Sequence, residues 1–260
     1  MKTRFLGPCA ILLGLVVGFS ATPRESAAAG GETRLIAQNW SWQGVFGHYD
    51  KAQLRRGLQV YQEVCATCHS LNLVRYRNLA DIGLTEEEIK DYAAAFEYQD
   101  GFDGEGEPKI RPGVPADPFK PPYPNDQAAR ASNGGALPPD LSLMTKARVH
   151  GPDYMNTLLT SYEDPPDGVT VMDGMYYNPA FPGGQISMPQ MIYDETVEYE
   201  DGSPNSAADI SRDITAFLNW AAEPELEERK SLGLKVILFL VVMTALFYAL
   251  KRQIWKGVEH

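Results

Sequence analysis

Apolar positions recur at helical spacing in three stretches of this chain. Leu54, Leu58, Tyr61 and Val64 fall on one stripe behind Asp50, whose carboxylate suits free amides at a helix start, so the pattern predicts a helix from Asp50 that delivers Cys65. Thr85-Glu86-Glu87-Glu88 reads as a capping box opening a second helix to about Phe96, with Ile89, Tyr92, Ala93 and Phe96 inward. Asn205-Ser206-Ala207-Ala208-Asp209 opens a third, to about Ala222, whose apolar side carries Ile210, Ile214, Phe217, Leu218 and Ala221. Shorter helices are expected over Leu141 to Val149 and Asp153 to Tyr162.

Two runs are apolar without periodicity. Phe5 to Ala21 follows the basic Met1-Lys2-Thr3-Arg4 and precedes Ser26-Ala27-Ala28-Ala29-Gly30. That order reads as a secretory signal peptide over residues 1–29, with a retained N-terminal anchor as the alternative. Leu232 to Leu250 is close to the ~20 residues a bilayer-spanning helix needs, and its single charge, Lys235, sits near the end where it can snorkel. Lys251, Arg252 and Lys256 follow the span, so with the export signal the positive-inside rule puts residues 251–260 in the cytoplasm and residues 30–231 outside.

Between these elements the chain turns to Gly, Pro, Asp and Asn. Gly101 to Pro139 contains the stiff pieces Pro121-Pro122-Tyr123-Pro124 and Leu137-Pro138-Pro139-Asp140, and a second such stretch runs from Asp164 to Gly184. Loops this long in a compact domain are usually functional or disordered, not filler. Of 23 Lys+Arg and 34 Asp+Glu, seven basic and two acidic residues lie outside residues 30–231, leaving 16 against 32 and a formal −16 for the exported part. Such a surface repels nucleic acid and steers a cationic partner.

Cys65-Ala66-Thr67-Cys68-His69 supplies the chemistry. C-x-x-C-H is the attachment signature of c-type haem: two thiols on one turn add to the vinyl groups and the adjacent imidazole becomes the proximal iron ligand. A redox dithiol should follow a strand of a βαβ unit, and a zinc site needs a further ligand pair; neither pattern is present in the sequence around Cys65. Outside signal and span, the candidate sixth ligands are Met144, Met155, Met172, Met175, Met188 and Met191. Met188 is favoured, because it lies in the loop Gly183-Gly184-Gln185-Ile186-Ser187-Met188-Pro189, whereas Met191 heads an apolar trio, Met191-Ile192-Tyr193, that looks like core. Methionine opposite histidine closes the iron to substrates and favours electron transfer. An open sixth position, with His48 or His150 nearby, would instead mark a tethered haem enzyme.

Several segments together resemble cytochrome c1: Trp42-Gln43-Gly44-Val45-Phe46-Gly47 leading into Asp50-Lys51-Ala52-Gln53-Leu54-Arg55-Arg56-Gly57; Pro122-Tyr123-Pro124-Asn125 with Ala128-Ala129-Arg130-Ala131; Gly135-Ala136-Leu137-Pro138-Pro139-Asp140-Leu141-Ser142; Tyr177-Asn178-Pro179 with Phe181-Pro182-Gly183; and Trp220-Ala221-Ala222-Glu223-Pro224. The resemblance implies a mainly α, class I cytochrome c-like haem domain with long loop insertions plus one C-terminal transmembrane helix, its first and last domain helices crossing beside the haem. It implies one covalently attached haem c on Cys65 and Cys68, the axial pair His69 and Met188, and Arg130 near a haem propionate. It also implies a place in the cytochrome bc1 complex with cytochrome b, a Rieske iron–sulfur protein as electron donor and a soluble basic cytochrome c as acceptor. The short leader, without a mitochondrial transit pattern, points to a bacterial plasma membrane with the haem domain periplasmic. An anchored cytochrome feeding a terminal oxidase is the nearest alternative within the same ligand set.

Overall fold

The computed structural model describes residues 35–257. The segment expected to be a signal peptide, Cys9 and His260 lie outside the described residues. Six α-helices are present among the described residues: α1 (Lys51–Glu63), α2 (Glu86–Ala94), α3 (Asp126–Ser132), α4 (Gly151–Thr160), α5 (Ala207–Ala222) and α6 (Leu226–Ile254). Two small antiparallel ribbons join them: β1 (Glu97–Phe102) with β2 (Pro108–Pro112), and β3 (Tyr176–Tyr177) with β4 (Gln185–Ile186).

The helix α1 begins as its sequence dictates. The Asp50 carboxylate accepts from the amides of Ala52 and Gln53, and Leu54, Leu58 and Tyr61 are buried. Its partner is α5, capped by Ser206 on the Asp209 amide, with Ile210, Ile214, Phe217, Leu218 and Ala221 inside. The two helices meet at Gly57, where a Cβ would stand 2.2 Å from the Asp213 carbonyl oxygen and 2.5 Å from Phe217 Cβ. One residue earlier, Arg56 Nε donates to Asp213 Oδ2 at 2.7 Å, while Gln53 Nε2 donates to the other carboxylate oxygen at 3.0 Å. The charge of Asp213, 6% exposed in its side chain, is thereby neutralised inside the crossing.

Around this pair the core is aromatic. Tyr76 stacks on Phe119 (4.9 Å between centroids) and on Phe96 (5.8 Å), Tyr61 meets Phe119 edge-on, and Phe217 leans on Trp220.

Three elements depart from the periodicity. The helix α2 keeps its Thr85–Glu88 capping box but stops at Ala94, and Phe96 leads into β1 half-buried instead of closing a helical face. The stretch from Gly101 to Pro139 is not one loop: it contains the end of the bulged β1–β2 ribbon, held at its base by Arg111 on Asp117 (2.6 and 2.8 Å) and by Lys120 Nζ on the Glu97 carbonyl (2.6 Å), and then α3. Leu141 to Val149 forms successive turns, not a helix. Leu141 N donates to the Ser70 carbonyl (2.9 Å) and the Leu73 amide to Ser142 Oγ (3.1 Å), so the segment serves as a tie to residues 69–73.

The helix α6 is 29 residues long and buries only Leu226, so its apolar surface faces outward along its length. It is long and apolar enough to cross a membrane and fits a single-pass anchor.

Candidate functional site

Where α1 ends, Cys65–Thr67 tightens into a 3₁₀ turn, and the amides of Cys68 and His69 both point back to the Cys65 carbonyl (3.1 and 2.9 Å). Both thiols and the imidazole therefore leave one short stretch of backbone. The C-x-x-C-H spacing predicted this grouping; the 3₁₀ form was not readable from it.

His69 is oriented from a distance. Its Nδ1 lies 2.8 Å from the Pro139 carbonyl oxygen. A carbonyl only accepts, so Nδ1 carries the proton and Nε2 keeps its lone pair, the tautomer a metal ligand requires. Burial lowers the His69 pKa, against the opposing pull of the Pro139 carbonyl and of Asp140, which favours the neutral imidazole. The Pro138-Pro139 stiffness seen in the sequence thus has a direct task.

Asp140 fixes that carbonyl in place. Its Oδ2 accepts from Ser70 Oγ and the Asn72 amide, each at 2.8 Å, and its Oδ1 accepts from the Ser142 amide. Despite the desolvation that opposes it, these bonds hold the carboxyl below its ordinary range. Tyr61 Oη donates to the His69 carbonyl at 3.1 Å, tying the core helix to the same residue. Asp140 lies in a segment that carries the resemblance and Tyr61 on the α1 stripe, but no spacing tied either to His69; only the fold does.

Burial pushes the Cys65 thiol up to about 12, with the Cys68 sulfur adding to the effect. A redox dithiol works through a depressed thiolate pKa, and Cys65 is shifted the opposite way. The turn opens beside Ala66 on a cavity of about 320 Å³ walled by Tyr61, Tyr92, Phe96, Phe119 and Pro122. Neither this cavity nor a larger space of about 470 Å³ between Tyr49, Trp220 and Glu225 is lined by Cys65, Cys68, His69, Arg130 or Met188. The donor set fits a covalently held haem: two thiols on one turn and one imidazole with a free Nε2.

The other predicted residues arrive on separate elements. Tyr123 Oη lies 4.0 Å from Cys68 Sγ and accepts from Asn133 Nδ2 (3.1 Å) at the end of α3, so the Arg130 helix is docked on the attachment turn. Arg130 itself is exposed, with Nη1 donating to the Gly135 carbonyl at 3.0 Å. Met188 follows β4 half-buried, and its carbonyl accepts from Tyr162 Oη at 3.0 Å. Met144 and Met155 are core residues, whereas Met172 is 62% exposed. Met191, expected in the core, is 41% exposed: Ile192 alone of its trio turns inward, with Met191 and Tyr193 both outside.

Comparison with known proteins gives a consistent answer. The model of the Cytochrome C1 family matches residues 40–258. Cytochrome c1 of Rhodospirillum rubrum is 46% identical over 95% of this chain and 94% of its own length. A mitochondrial cytochrome c1 heme protein of Solanum tuberosum is 54% identical over 85% of each chain, and that of Saccharomyces cerevisiae 49% identical over 92% of this chain and 78% of its own. With the attachment turn, the oriented imidazole and the exposed apolar helix on one polypeptide, this chain belongs to the cytochrome c1 family.

Proposed function

We propose that this chain relays single electrons through one haem c, as the haem subunit of a quinol-oxidising bc1 complex. Cys65 and Cys68 would hold the cofactor through thioethers, and its iron would supply a reversible one-electron couple. His69 Nε2 and the Met188 thioether would be the protein's donors to that iron. The observation that carries the reading is the His69–Pro139 bond, which orients an imidazole with a free Nε2 beside two thiols on one turn. Met188 is supported by the family resemblance and by the anchoring of its own backbone on Tyr162, while the exposure of Met191 removes the reason for which the sequence set that residue aside. Arg130 remains the residue that the family resemblance places near a propionate; its bond to Gly135 also closes its own helix.

Around that centre the chain's residues orient and insulate. Asp140, Ser70 and Tyr61 hold the ligand segment, the aromatic core excludes water, and no general acid or nucleophile is required. Residues 30–231 form the haem domain, facing the periplasm of a bacterial plasma membrane; 232–250 are the anchor and 251–260 the cytoplasmic tail, behind a cleaved leader at 1–29. The partners are cytochrome b in the membrane, a Rieske protein as donor and a soluble basic cytochrome c as acceptor.

The test is the holo-chain and its Met188→Leu variant. Wild type should show the weak red-end absorbance band of sulfur-ligated ferric haem, remain low-spin and ignore cyanide, and M188L should lose the band. A wild-type ferric form that is high-spin and takes cyanide at once would instead establish a tethered haem enzyme.

A further inference from the structure

We propose that the loop over residues 41–48 dips Val45 and Phe46 into the headgroup region of the bilayer that α6 crosses, giving the haem domain a second lipid contact beside its anchor. The proposal rests on α6 being a membrane span.

Phe46 is 82% exposed and Val45 65%. They are presented by a closed structure: the His48 amide donates to the Ser41 carbonyl (3.2 Å) and the Gln43 amide to the Trp40 carbonyl (3.1 Å). Gly44 takes φ +74°, and at Gly47 a side chain would collide with the Gln43 carbonyl oxygen, 2.0 Å from an ideal Cβ. Behind the loop Trp40 and Trp42 stack at 4.8 Å and are buried. The apolar pair is thus held outward by a braced loop.

The level of the loop is set by α6. Lys230 Nζ donates to the carbonyls of Trp42 and Gly47, and Glu227 accepts from the Tyr49 amide at 2.7 Å. Lys230 stands two residues before Leu232, where the apolar run begins, about 3 Å along a helix axis at ~1.5 Å per residue. Gly47, bonded to Phe46, is therefore one lysine side chain from the point where the helix meets lipid.

Charge separates this patch from other exposed apolar residues. Residues 35–49 contain no Asp, Glu, Lys or Arg, in a domain of formal charge −16. Phe102, 66% exposed, lies between Asp100 and Asp103 and is unsuited to an interface of anionic lipid. An uncharged loop offering phenylalanine and valine beside a span fits the lipid interface.

The test places nitroxides by Phe46→Cys, Val45→Cys, Phe102→Cys and Phe239→Cys in the full-length holo-chain with Cys9→Ser, in phosphatidylethanolamine–phosphatidylglycerol nanodiscs. Accessibility to oxygen is compared with that to a water-soluble nickel chelate. Labels at 46 and 45 should show an oxygen-to-nickel ratio several-fold above that at 102 and below that at 239. A ratio at both sites equal to that at 102, with 239 deep in lipid, overturns the proposal and leaves the span intact. Shielding from both reagents means protein covers the loop, and also overturns it. A nickel-accessible 239 removes the span itself. If one of the two loop variants fails to fold, the other carries the same readout.

Discussion

Replacing Gly57 by alanine isolates the α1–α5 crossing, because the sign of the effect is opposite to that of an ordinary helix site. Gly57 is interior to α1, where alanine gains about 1 kcal/mol of intrinsic helix stability over glycine. Here the new Cβ would meet the Asp213 carbonyl oxygen at 2.2 Å, against 3.4 Å for ordinary contact, and Phe217 Cβ at 2.5 Å. The obstacle is backbone and cannot rotate aside, so the helices must part by roughly 1 Å. That strain belongs at or above the top of the ~1–3 kcal/mol range for overpacking, which leaves a net loss of about 2 kcal/mol. For a domain of this size a loss of ~2 kcal/mol lowers Tm by about 4–8 °C. Thermal unfolding of the holo-chain in detergent, followed by far-UV circular dichroism, reads it directly. An unchanged or raised Tm in G57A would refute the claim that α1 and α5 touch at this glycine.

Asp117, held at about 2 mainly by its bonds to Arg111, stabilises the ribbon base while ionised. A depressed folded pKa gives stability that is present above ~4 and fades as pH falls toward 2, so the Tm gap between wild type and Asp117→Asn should be constant above about pH 5 and close in acid. A gap that persists at pH 2 would contradict this. Reduction of a basic cytochrome c by the assembled complex should slow about tenfold or more between ~0.01 and ~0.15 M ionic strength, as the screening length falls from ~30 to ~8 Å. A flat profile would mean that the domain's −16 plays no part in steering.

What the sequence revealed was local. The Asp50 cap, the Thr85–Glu88 box and the stripe from Ile210 to Ala221 are each written within a few residues, and the structure places helices there. The attachment pentapeptide and the apolar run of α6 are equally self-contained. What stayed hidden was decided by long-range ties. No spacing rule links His69 to Pro139, 70 residues away, and the Asp140 carboxylate is interpretable only once Ser70 and Asn72 sit beside it. Leu141 to Val149 has helical composition, yet it folds as turns in which the Met144 and Lys146 amides reach back three residues, while its start is tied to Ser70. The β1–β2 ribbon escaped notice because it is exposed on both faces, which leaves no alternation for a pattern to detect. Met191 was misplaced because one buried residue, Ile192, was taken for three.

The raised pKa of Cys65 bears on how the protein is made. Addition of sulfur to a vinyl group proceeds through thiolate, and packing of the haem-free chain disfavours that form at Cys65. If Cys65 carries the porphyrin, as proposed above, stitching is easier on a segment that has yet to pack, before α1 collapses onto α5. A polypeptide folded early would offer its sulfur in the less reactive form.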